Sequence, residues 1–198
     1  MSVNFFGQAA PAQNTPQIAI IIDDIGYRKS DFSVLDLPGQ FTFAIVPYAP
    51  YTKEIATLVH KSQREVMAHL PMEALTNNNL LGKGALRVSM NEEQTRQQVR
   101  NALTDIPYVS GINNHMGSHF TTQPKHLGWL MDELAQKDLF FLDSKTTPDS
   151  MAEQVALQHG VPTGHRHVFL DNQLDEVYLN KQFNQLIKIA ERYNHAIA

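Results

Sequence analysis

The apolar run Ile-Ala-Ile-Ile-Ile at 18–22 constrains the fold of this chain most strongly. A continuous run rich in β-branched side chains is typical of a strand covered on both faces, as in the parallel sheet of an α/β protein. The run ends in two adjacent carboxylates, Asp23 and Asp24. Because α/β proteins collect functional groups at the carboxyl ends of their strands, this position is the first candidate site. Two neighbouring carboxylates repel each other, so one pKa should rise unless a cation or a proton shares the site, and a metal ion is the simplest partner.

Short apolar runs alternate with amphipathic helical patterns along the rest of the chain. The strand-like runs lie at 41–46, 65–68, 109–112, 139–142, 168–170 and 196–198, and the helical patterns at 52–62, 91–104, 124–137, 148–159 and 175–193. This alternation predicts a parallel sheet joined by right-handed helical crossovers. The periodicity leaves open whether the sheet closes into a barrel, although about seven strands would suit one slightly smaller than the eight-stranded standard. The segment 70–90 lacks a periodic pattern, and we expect it to form a rim or lid.

Composition narrows the class of protein further. With 198 residues, 42% of them hydrophobic, the chain is long enough for one domain, which we place at 17–198 behind a polar tail at 1–16. The tail lacks the basic start and apolar core of a signal peptide, and no run approaches the ~20 apolar residues of a membrane span. A net charge of -4 without a Lys or Arg cluster argues against nucleic-acid binding. Without cysteine, any metal must be held by His, Asp, Glu or water.

Other predicted strand ends also carry side chains suited to metal binding or acid–base chemistry. They are Tyr48, His69, Asn114, His115, Asp143 and Asp171. A single Asp or Asn in such a place often only caps a helix or begins a turn. Two histidines combined with the carboxylates of Asp23 and Asp24 instead indicate a metal or acid–base site. Arg166 would either orient an acid such as Asp23 or form a surface salt bridge, and the sequence leaves both open.

Five motifs in this chain, taken in order, resemble the divergent polysaccharide deacetylase family. They read Ile-Ile-Ile-Asp-Asp-Ile-Gly at 20–26, His-Leu-Pro-Met-Glu at 69–73, Gly-Ile-Asn-Asn-His-Met-Gly-Ser at 111–118, Phe-Leu-Asp-Ser at 141–144 and Arg-His-Val-Phe-Leu-Asp at 166–171. The resemblance implies a distorted (β/α)7-type barrel of parallel strands and a location in the periplasm or cell envelope. It also leads us to expect a Gly-His-Pro segment after the last strand, which begins just before Ala198.

The resemblance assigns roles to particular residues. Asp23 would be the general base, and Asp24, His69 and His115 would hold a divalent metal, usually zinc. The family's usual His-x-x-x-His motif keeps only its first member, because Glu73 occupies the second position. The second imidazole would therefore come from His115. We expect Arg166 to act with Asp23 in catalysis, and we expect substrate contacts from four further residues, namely Tyr48, Glu73, Asn114 and Asp143.

These expectations lead to metal-assisted removal of acetyl groups from a polysaccharide or peptidoglycan-like glycan. A backbone N–H in the Tyr48 loop would stabilise the oxyanion that forms during the reaction. Two alternatives belong to other classes. One is a catalytically inactive glycan-binding or envelope-associated protein built on the same barrel. The other is a phosphoacceptor receiver domain, which also has an acidic pair after its first strand, but receivers are compact domains of about 120 residues.

Overall fold

A computed structural model of the protein describes residues 15–198, in which strands and helices alternate. The strands are β1 (Gln17–Ala19), β2 (Ile21–Ile25), β3 (Thr42–Ile45), β4 (Glu65–Met72), β5 (Val109–Met116), β6 (Phe140–Asp143), β7 (Thr163–His165) and β8 (His195–Ile197). The helices are α1 (Thr52–Lys61), α2 (Glu92–Asp105), α3 (Pro124–Ala135), α4 (Ala152–Gln158) and α5 (Glu176–Tyr193). All but the last two residues of the predicted tail at 1–16 lie outside the described range. None of the described helices is long and apolar enough to cross a membrane.

The parallel strands close into a distorted barrel. Strands β2 to β7 pair in chain order, and β1 pairs with β8. β1 and β2 are two halves of one extended segment interrupted at Ile20, whose carbonyl accepts a 3.1 Å hydrogen bond from Thr42 N. On the other side, the Ile197 carbonyl accepts hydrogen bonds from the N–H groups of His167 (2.8 Å) and Val168 (3.3 Å). These bonds join the segment after β7 to β8. Because β8 also pairs with β1, the barrel is closed, as the family resemblance implied.

Alternate residues of each strand face opposite sides of the barrel wall. Outward-facing residues such as Phe43, Ile112 and Phe141 pack against the helices in the main core. Inward-facing residues form a smaller cluster inside the barrel, built on Ala44, Met67 and Leu142 with Ile21, Phe140 and Ile197 packed against them. This two-sided burial is the reason that the strand sequences are nearly continuous apolar runs.

Strands β4 and β5 extend further than the sequence predicted. Their pairing continues from Val66 to the partners Met72 and Met116, so the polar residues at 113–115 lie within β5 rather than after it. The predicted strand at 168–170 is wrong. β7 lies earlier, at Thr163–His165, and residues 168–170 instead line a cavity at the barrel mouth.

Two predicted helices also differ in the structure. Helix α4 begins at Ala152 rather than at residue 148, because Met151 N donates to the Thr121 carbonyl and fixes a turn before the helix. Helix α5 buries Leu186 and Ala190 against Val168 and Ala196, whereas Leu179 (46%) and Phe183 (39%), apolar residues nearer its N-terminus, are exposed. Only the C-terminal part of α5 lies over the short strand β8.

Candidate metal centre

The end of β2 presents both of its carboxylates to the barrel mouth. Ile22 pairs with Phe43 and Ile25 with Ile45, so β2 contains one more residue than β3 over this stretch and forms a bulge. Asp24 adopts a left-handed backbone conformation with φ of 57°. In a regular strand two consecutive side chains would point to opposite faces. The bulge instead allows Asp23 and Asp24 to approach the same histidine.

Asp24, His69 and His115 converge at this mouth from three different strands. Asp24 Oδ1 lies 3.1 Å from His69 Nε2 and 2.8 Å from His115 Nδ1. The two imidazole nitrogens lie 3.0 Å apart. Asp23 Oδ2 lies beside them, 3.8 Å from His69 Nε2. In the described part of the chain, these three residues form the group of His, Asp and Glu side chains whose ligand atoms could hold one metal ion.

The donor set fits a divalent cation such as zinc. In a tetrahedral zinc site with metal–ligand distances of about 2.0–2.1 Å, ligand atoms lie about 3.3 Å from one another. The observed separations of 2.8–3.1 Å are slightly shorter, so a small outward movement would accommodate an ion. A carboxylate oxygen and two unprotonated imidazole nitrogens are all acceptors, so atoms placed in this way share either a proton or a metal ion.

The two neighbouring carboxylates have opposite electrostatic environments. Hydrogen bonds from His115 and His69 hold the pKa of Asp24 well below its usual range. Burial raises the pKa of Asp23, and the negative charges of Asp24 and Asp171 add to that rise. Burial opposes the charged form of His69, but its contacts with Asp24, Asp23 and Asn113 outweigh burial and raise its pKa. The site therefore contains one firmly ionised ligand beside a more basic carboxylate.

Two spaces meet at this pair of carboxylates. Asp24 and His115 line an open groove of about 690 Å³ together with Tyr27, Arg28, Asp31, Asn77, Leu80 and Met116. Asp23 lines a smaller cavity of about 190 Å³ on the other side, whose walls include Asn113, Arg166, Phe169 and Asp171. Because Asn77 and Leu80 belong to the segment predicted as a rim or lid, that segment does form part of the rim of the groove.

Arg166 lies in the wall of the cavity that contains Asp23. Its Nε donates to the Ser144 carbonyl at 2.8 Å, a terminal nitrogen donates to the Lys145 carbonyl at 3.2 Å, and the guanidinium lies 3.5 Å from the centre of the Phe169 ring. Burial lowers the pKa of Arg166, while the charges of Asp143, Asp23 and Asp171 act in the opposite direction. Arg166 is thus held by backbone carbonyls and interacts with Asp23 through its charge.

Glu73 anchors the rim segment. Its carboxylate accepts from Val88 N at 2.8 Å and contacts His119 Nδ1 at 3.1 Å. Its backbone carbonyl also accepts from the N–H groups of His119 and Phe120. Glu73 stands at the position of the family's usual second histidine, and His119 pairs with it. His119 does not belong to the cluster of Asp24, His69 and His115.

Tyr48 packs against α2 rather than against the metal centre. Its ring adjoins Gly84, where an added Cβ would come within 2.7 Å of Cδ2, and its hydroxyl accepts from Gln98 at 3.4 Å. The Tyr48 N–H donates to Asp105 Oδ2 at 2.7 Å. This N–H is therefore already occupied by Asp105, and an oxyanion contact from the backbone of the Tyr48 loop stays a prediction.

Asn114 and Asp143 face outward, away from the barrel interior. Asn114 donates to the Met116 carbonyl at 2.7 Å and accepts from Ser144 N at 2.9 Å. Asp143 is completely buried and accepts from Lys145 N at 2.8 Å. Both side chains hold the loops that follow their strands, so a direct contact with substrate would require those loops to open.

Sequence reasoning missed Tyr27 and Asn113. Tyr27 follows the Asp-Asp-Ile-Gly motif and is 47% exposed in the groove beside Asp24. An added Cβ at Gly82, in the rim segment, would lie 3.3 Å from the Tyr27 hydroxyl. An aromatic residue so close to the acidic pair was a signal for a binding surface. Asn113 Oδ1 lies 2.8 Å from His69 Nδ1, and only the full length of β5 reveals this contact.

The protein is a parallel α/β barrel with a potential metal site, formed by a carboxylate and two imidazoles at the carboxyl ends of its strands. Comparison with protein families matches residues 20–198 to the divergent polysaccharide deacetylases. The chain belongs to this family.

Two bacterial relatives and one solved structure are similar to this chain. The uncharacterized protein YibQ of Escherichia coli (strain K12) is 38% identical over 183 residues, which are 92% of this chain and 57% of YibQ. An uncharacterized protein of Haemophilus influenzae is 34% identical over 183 residues, 92% of this chain and 65% of that protein. The chain thus spans less than two thirds of either relative.

The fold is also that of a crystal structure from another bacterium. The uncharacterized protein ATU2773 from Agrobacterium tumefaciens C58 superposes with a TM-score of 0.88 over 96% of this chain and 78% of that one. The two sequences are 19% identical, so this likeness concerns the fold alone.

Proposed function

We propose that this protein is a metal-dependent hydrolase that removes acetyl groups from a glycan. The observation that carries the proposal is the convergence of Asp24, His69 and His115, with Asp23 beside them, at an open groove. Three protein ligands with an accessible fourth position are typical of catalytic zinc sites. A bound zinc ion would supply Lewis acidity and an open position next to Asp23.

Asp23 is the proposed general base. Burial raises its pKa, which makes this carboxylate a better proton acceptor than an exposed aspartate. Asp23 would accept the proton of the attacking water and later deliver it to the leaving group. Arg166, fixed in the wall of the same cavity, places a positive charge where it favours the ionised form of Asp23.

The groove on the Asp24 side is the proposed binding surface for the glycan. Tyr27 and Leu80 provide exposed apolar surface there, and Arg28, Asp31 and Asn77 provide polar groups. Sugar rings present apolar faces that pack on aromatic rings, while their hydroxyls require hydrogen-bond partners. An acetylated polysaccharide or peptidoglycan strand meets both requirements, and we place the protein in the cell envelope, where the resemblance to the family locates it.

Two substitutions test the proposal. Asp24→Ala should remove stoichiometric zinc, measured by metal analysis after dialysis, because it deletes one of three ligands. Asp23→Asn should retain zinc but lower acetate release from acetylated chitooligosaccharides or peptidoglycan by about 10²–10⁴-fold, since it removes the base. Asp36→Asn, a change of an exposed carboxylate outside the groove and the cavity, is the matched control. Stoichiometric zinc in the Asp24→Ala protein would contradict the proposed ligand set.

The Glu73 carboxylate is already hydrogen-bonded to Val88 N and in contact with His119 Nδ1, which favours a second candidate function. Glu73 stands where the family's usual second metal histidine would lie, so the same barrel could serve as a catalytically inactive glycan-binding protein. The two candidates differ in one measurement. A zinc-loaded protein that binds the oligosaccharides without releasing acetate is a binding protein, whereas acetate release establishes the hydrolase.

A further inference from the structure

We propose that the cavity beside Asp23 binds the acyl group of the substrate and admits chains of about six carbons, so that the protein also removes acyl groups longer than acetyl. The inference rests on the proposed function, because it names the group that the same site hydrolyses. We call this cavity of about 190 Å³ the acyl cavity. The groove on the Asp24 side then holds the sugar.

The position of the acyl cavity relative to the groove supports this division. Asp23 lines the cavity, whereas Asp24 and His115 line the groove, so the two spaces meet at the proposed metal centre. A carbonyl group that reacts at this junction has two substituents, the acyl chain and the sugar nitrogen or oxygen. When the sugar lies in the groove, the acyl chain points toward the acyl cavity.

Much of the wall of the acyl cavity is apolar. Ile21 and Leu142 line it, and both belong to the small hydrophobic cluster inside the barrel. The backbone is satisfied there as well, because Ile21 N donates to the Ala198 carbonyl at 2.9 Å. Val168 and Leu170 line the cavity too. This wall suits methylene groups better than hydroxyls, because a hydroxyl placed against it would lose its hydrogen bonds to water.

The charges around the acyl cavity disfavour an anionic occupant. Asp23 and Asp171 place two carboxylates on its wall, against the guanidinium of Arg166. Arg166 already donates to the carbonyls of Ser144 and Lys145, at 2.8 and 3.2 Å. A carboxylate or phosphate would therefore meet two like charges and a guanidinium that is partly occupied. A neutral, apolar chain meets neither obstacle.

The volume of the acyl cavity sets the chain length. An apolar cavity of about 150 Å³ in a protein interior holds a benzene molecule, so a space of that size accommodates about six carbons. The acyl cavity measures about 190 Å³, and an acetyl group would place only its methyl group there. The space left over would forfeit contacts with the apolar wall. A chain of about six carbons makes those contacts.

The proposed reaction is the hydrolysis of this longer acyl group. Water adds to the carbonyl carbon, and the bond from that carbon to the sugar nitrogen or oxygen breaks. One proton of the water passes through Asp23 to the leaving nitrogen or oxygen. The products are a carboxylic acid and a sugar amine or hydroxyl. Once the acid ionises, the negative charges of Asp23 and Asp171 favour its release from the cavity.

The first experiment measures chain-length preference. The zinc-loaded protein is given chitooligosaccharides whose nitrogen carries acyl groups from acetyl to decanoyl. kcat/KM should rise about two- to fourfold with each added methylene up to about six carbons and then fall, because each buried methylene contributes hydrophobic free energy until the cavity is full. A highest kcat/KM for the acetyl substrate would overturn the inference and leave the proposed deacetylase intact.

Substitution of Leu170 tests whether the acyl cavity sets this preference. Leu170→Trp should fill the cavity and lower the hexanoyl-to-acetyl ratio of kcat/KM roughly tenfold or more. Leu170→Ala enlarges the cavity and should move the preferred chain to a longer one. Leu179→Trp, at an exposed position on α5 outside the cavity, is the matched control and should keep the wild-type ratio. An unchanged preference in the Leu170 variants would contradict the inference, and Leu170→Ala decides alone if the tryptophan variant does not fold.

A binding measurement on the metal-free protein tests the acyl cavity without catalysis. Saturation-transfer NMR with N-hexanoylglucosamine should detect transfer from the protein to the terminal methyl group of the chain. The signal should fall in Leu170→Trp and persist in Leu179→Trp, and equal signals in the two variants would overturn the inference. If the wild type hydrolyses none of the acylated sugars, the proposed function fails, and this measurement by itself decides whether the cavity binds the chain.

Discussion

Asp24 combines an unusual backbone conformation with a central place in the site. A left-handed conformation in a residue other than glycine costs on the order of 1–3 kcal/mol, although Asp tolerates it better than most residues. In Asp24 it accompanies the β2 bulge and brings the carboxylate to within 2.8 Å of His115. The strained residue and the proposed metal ligand are the same, as expected where backbone strain serves function.

Tyr27 allows a test of the groove at the level of one side chain. Tyr27→Ala should raise KM for an acetylated oligosaccharide about five- to thirty-fold, since losing ring contacts of this kind removes about 1–2 kcal/mol of binding. kcat should change little, because the ring lies in the groove and not among the ligands. Tyr27→Phe keeps the ring and should bind nearly as well as the wild type. Equal KM values for the Ala and Phe variants would show that sugar does not stack on Tyr27.

Among the elements, the contact of β8 with residues 165–168 closes the barrel, and we call it the seam. It contains three histidines, His165, His167 and His195. His167 Nδ1 accepts a 3.1 Å hydrogen bond from Ile197 N, which requires an unprotonated Nδ1. The His167 ring lies 4.7 Å from the ring of His165 and 5.8 Å from that of His195. Glu153 of α4 pairs with His165 at 2.9 Å. Protonation of His167 would thus break a bond of the seam and add a charge beside two other imidazoles.

The seam predicts a pH dependence of stability. Burial, together with the charges of His165 and His195, lowers the pKa of His167 in the folded state, and Glu153 only partly opposes this. The unfolded chain therefore binds the proton first, at a pH near its ordinary pKa of about 6.5. The stability contributed by neutral His167 is complete above that pH, and it is lost as the pH falls from there toward the lower folded-state pKa.

His167→Asn tests this prediction, because the Asn oxygen can accept from Ile197 N but does not titrate. The free energy of unfolding, measured by urea denaturation between pH 5 and 8, should fall more steeply with decreasing pH in the wild type than in the variant. His60→Asn, at an exposed position on α1, is the control and should retain the wild-type slope. Parallel curves for the wild type and His167→Asn would refute the role of this seam.

For the whole molecule, a metal ion would tie together three segments that are distant in the sequence. Asp24, His69 and His115 lie on β2, β4 and β5, so a shared ion adds a link between strands of one barrel. A ligand that binds only the folded state adds about 2.7 kcal/mol when its free concentration is one hundred times Kd. For a domain of this size that corresponds to a rise in Tm of roughly 5–10 °C.

Thermal unfolding with and without zinc checks this linkage. We expect Tm to rise when zinc is added to the metal-free protein, and to return after a chelator removes it. Asp24→Ala should abolish the rise, whereas Asp36→Asn should show all of it. A rise of equal size in Asp24→Ala would mean that zinc stabilises the protein from another place.

The sequence predicted the fold because its signals are local and repeated. Buried strands in an α/β protein need apolar side chains on both faces, so runs such as 18–22 and 139–142 stand out without knowledge of their partners. The order of five motifs then identified the family and the barrel. The errors fell where a pattern depends on pairing, since β5 continues through three polar residues whose inward and outward faces satisfy different partners.

The site was predictable in part, for a similar reason. The chemical types of Asp24, His69 and His115 and their places near strand ends are visible in the sequence, and the structure brings these three together. Tyr48 and Glu73 share those signals, but their polar groups are occupied by Asp105, Val88 and His119. Only pairing across the barrel distinguishes a ligand from a loop anchor.

The amino-acid sequence by itself determined most of the segments that form strands and helices, the parallel topology and the inventory of metal-binding side chains, because periodicity and side-chain chemistry are local properties. The tertiary structure decided which of those side chains meet. A one-residue bulge in β2, the register of β4 against β5 and the hydrogen bonds at Ile197 set distances of a few ångströms between residues up to 91 positions apart, from Asp24 to His115. Metal binding depends on such distances, and no local pattern encodes them.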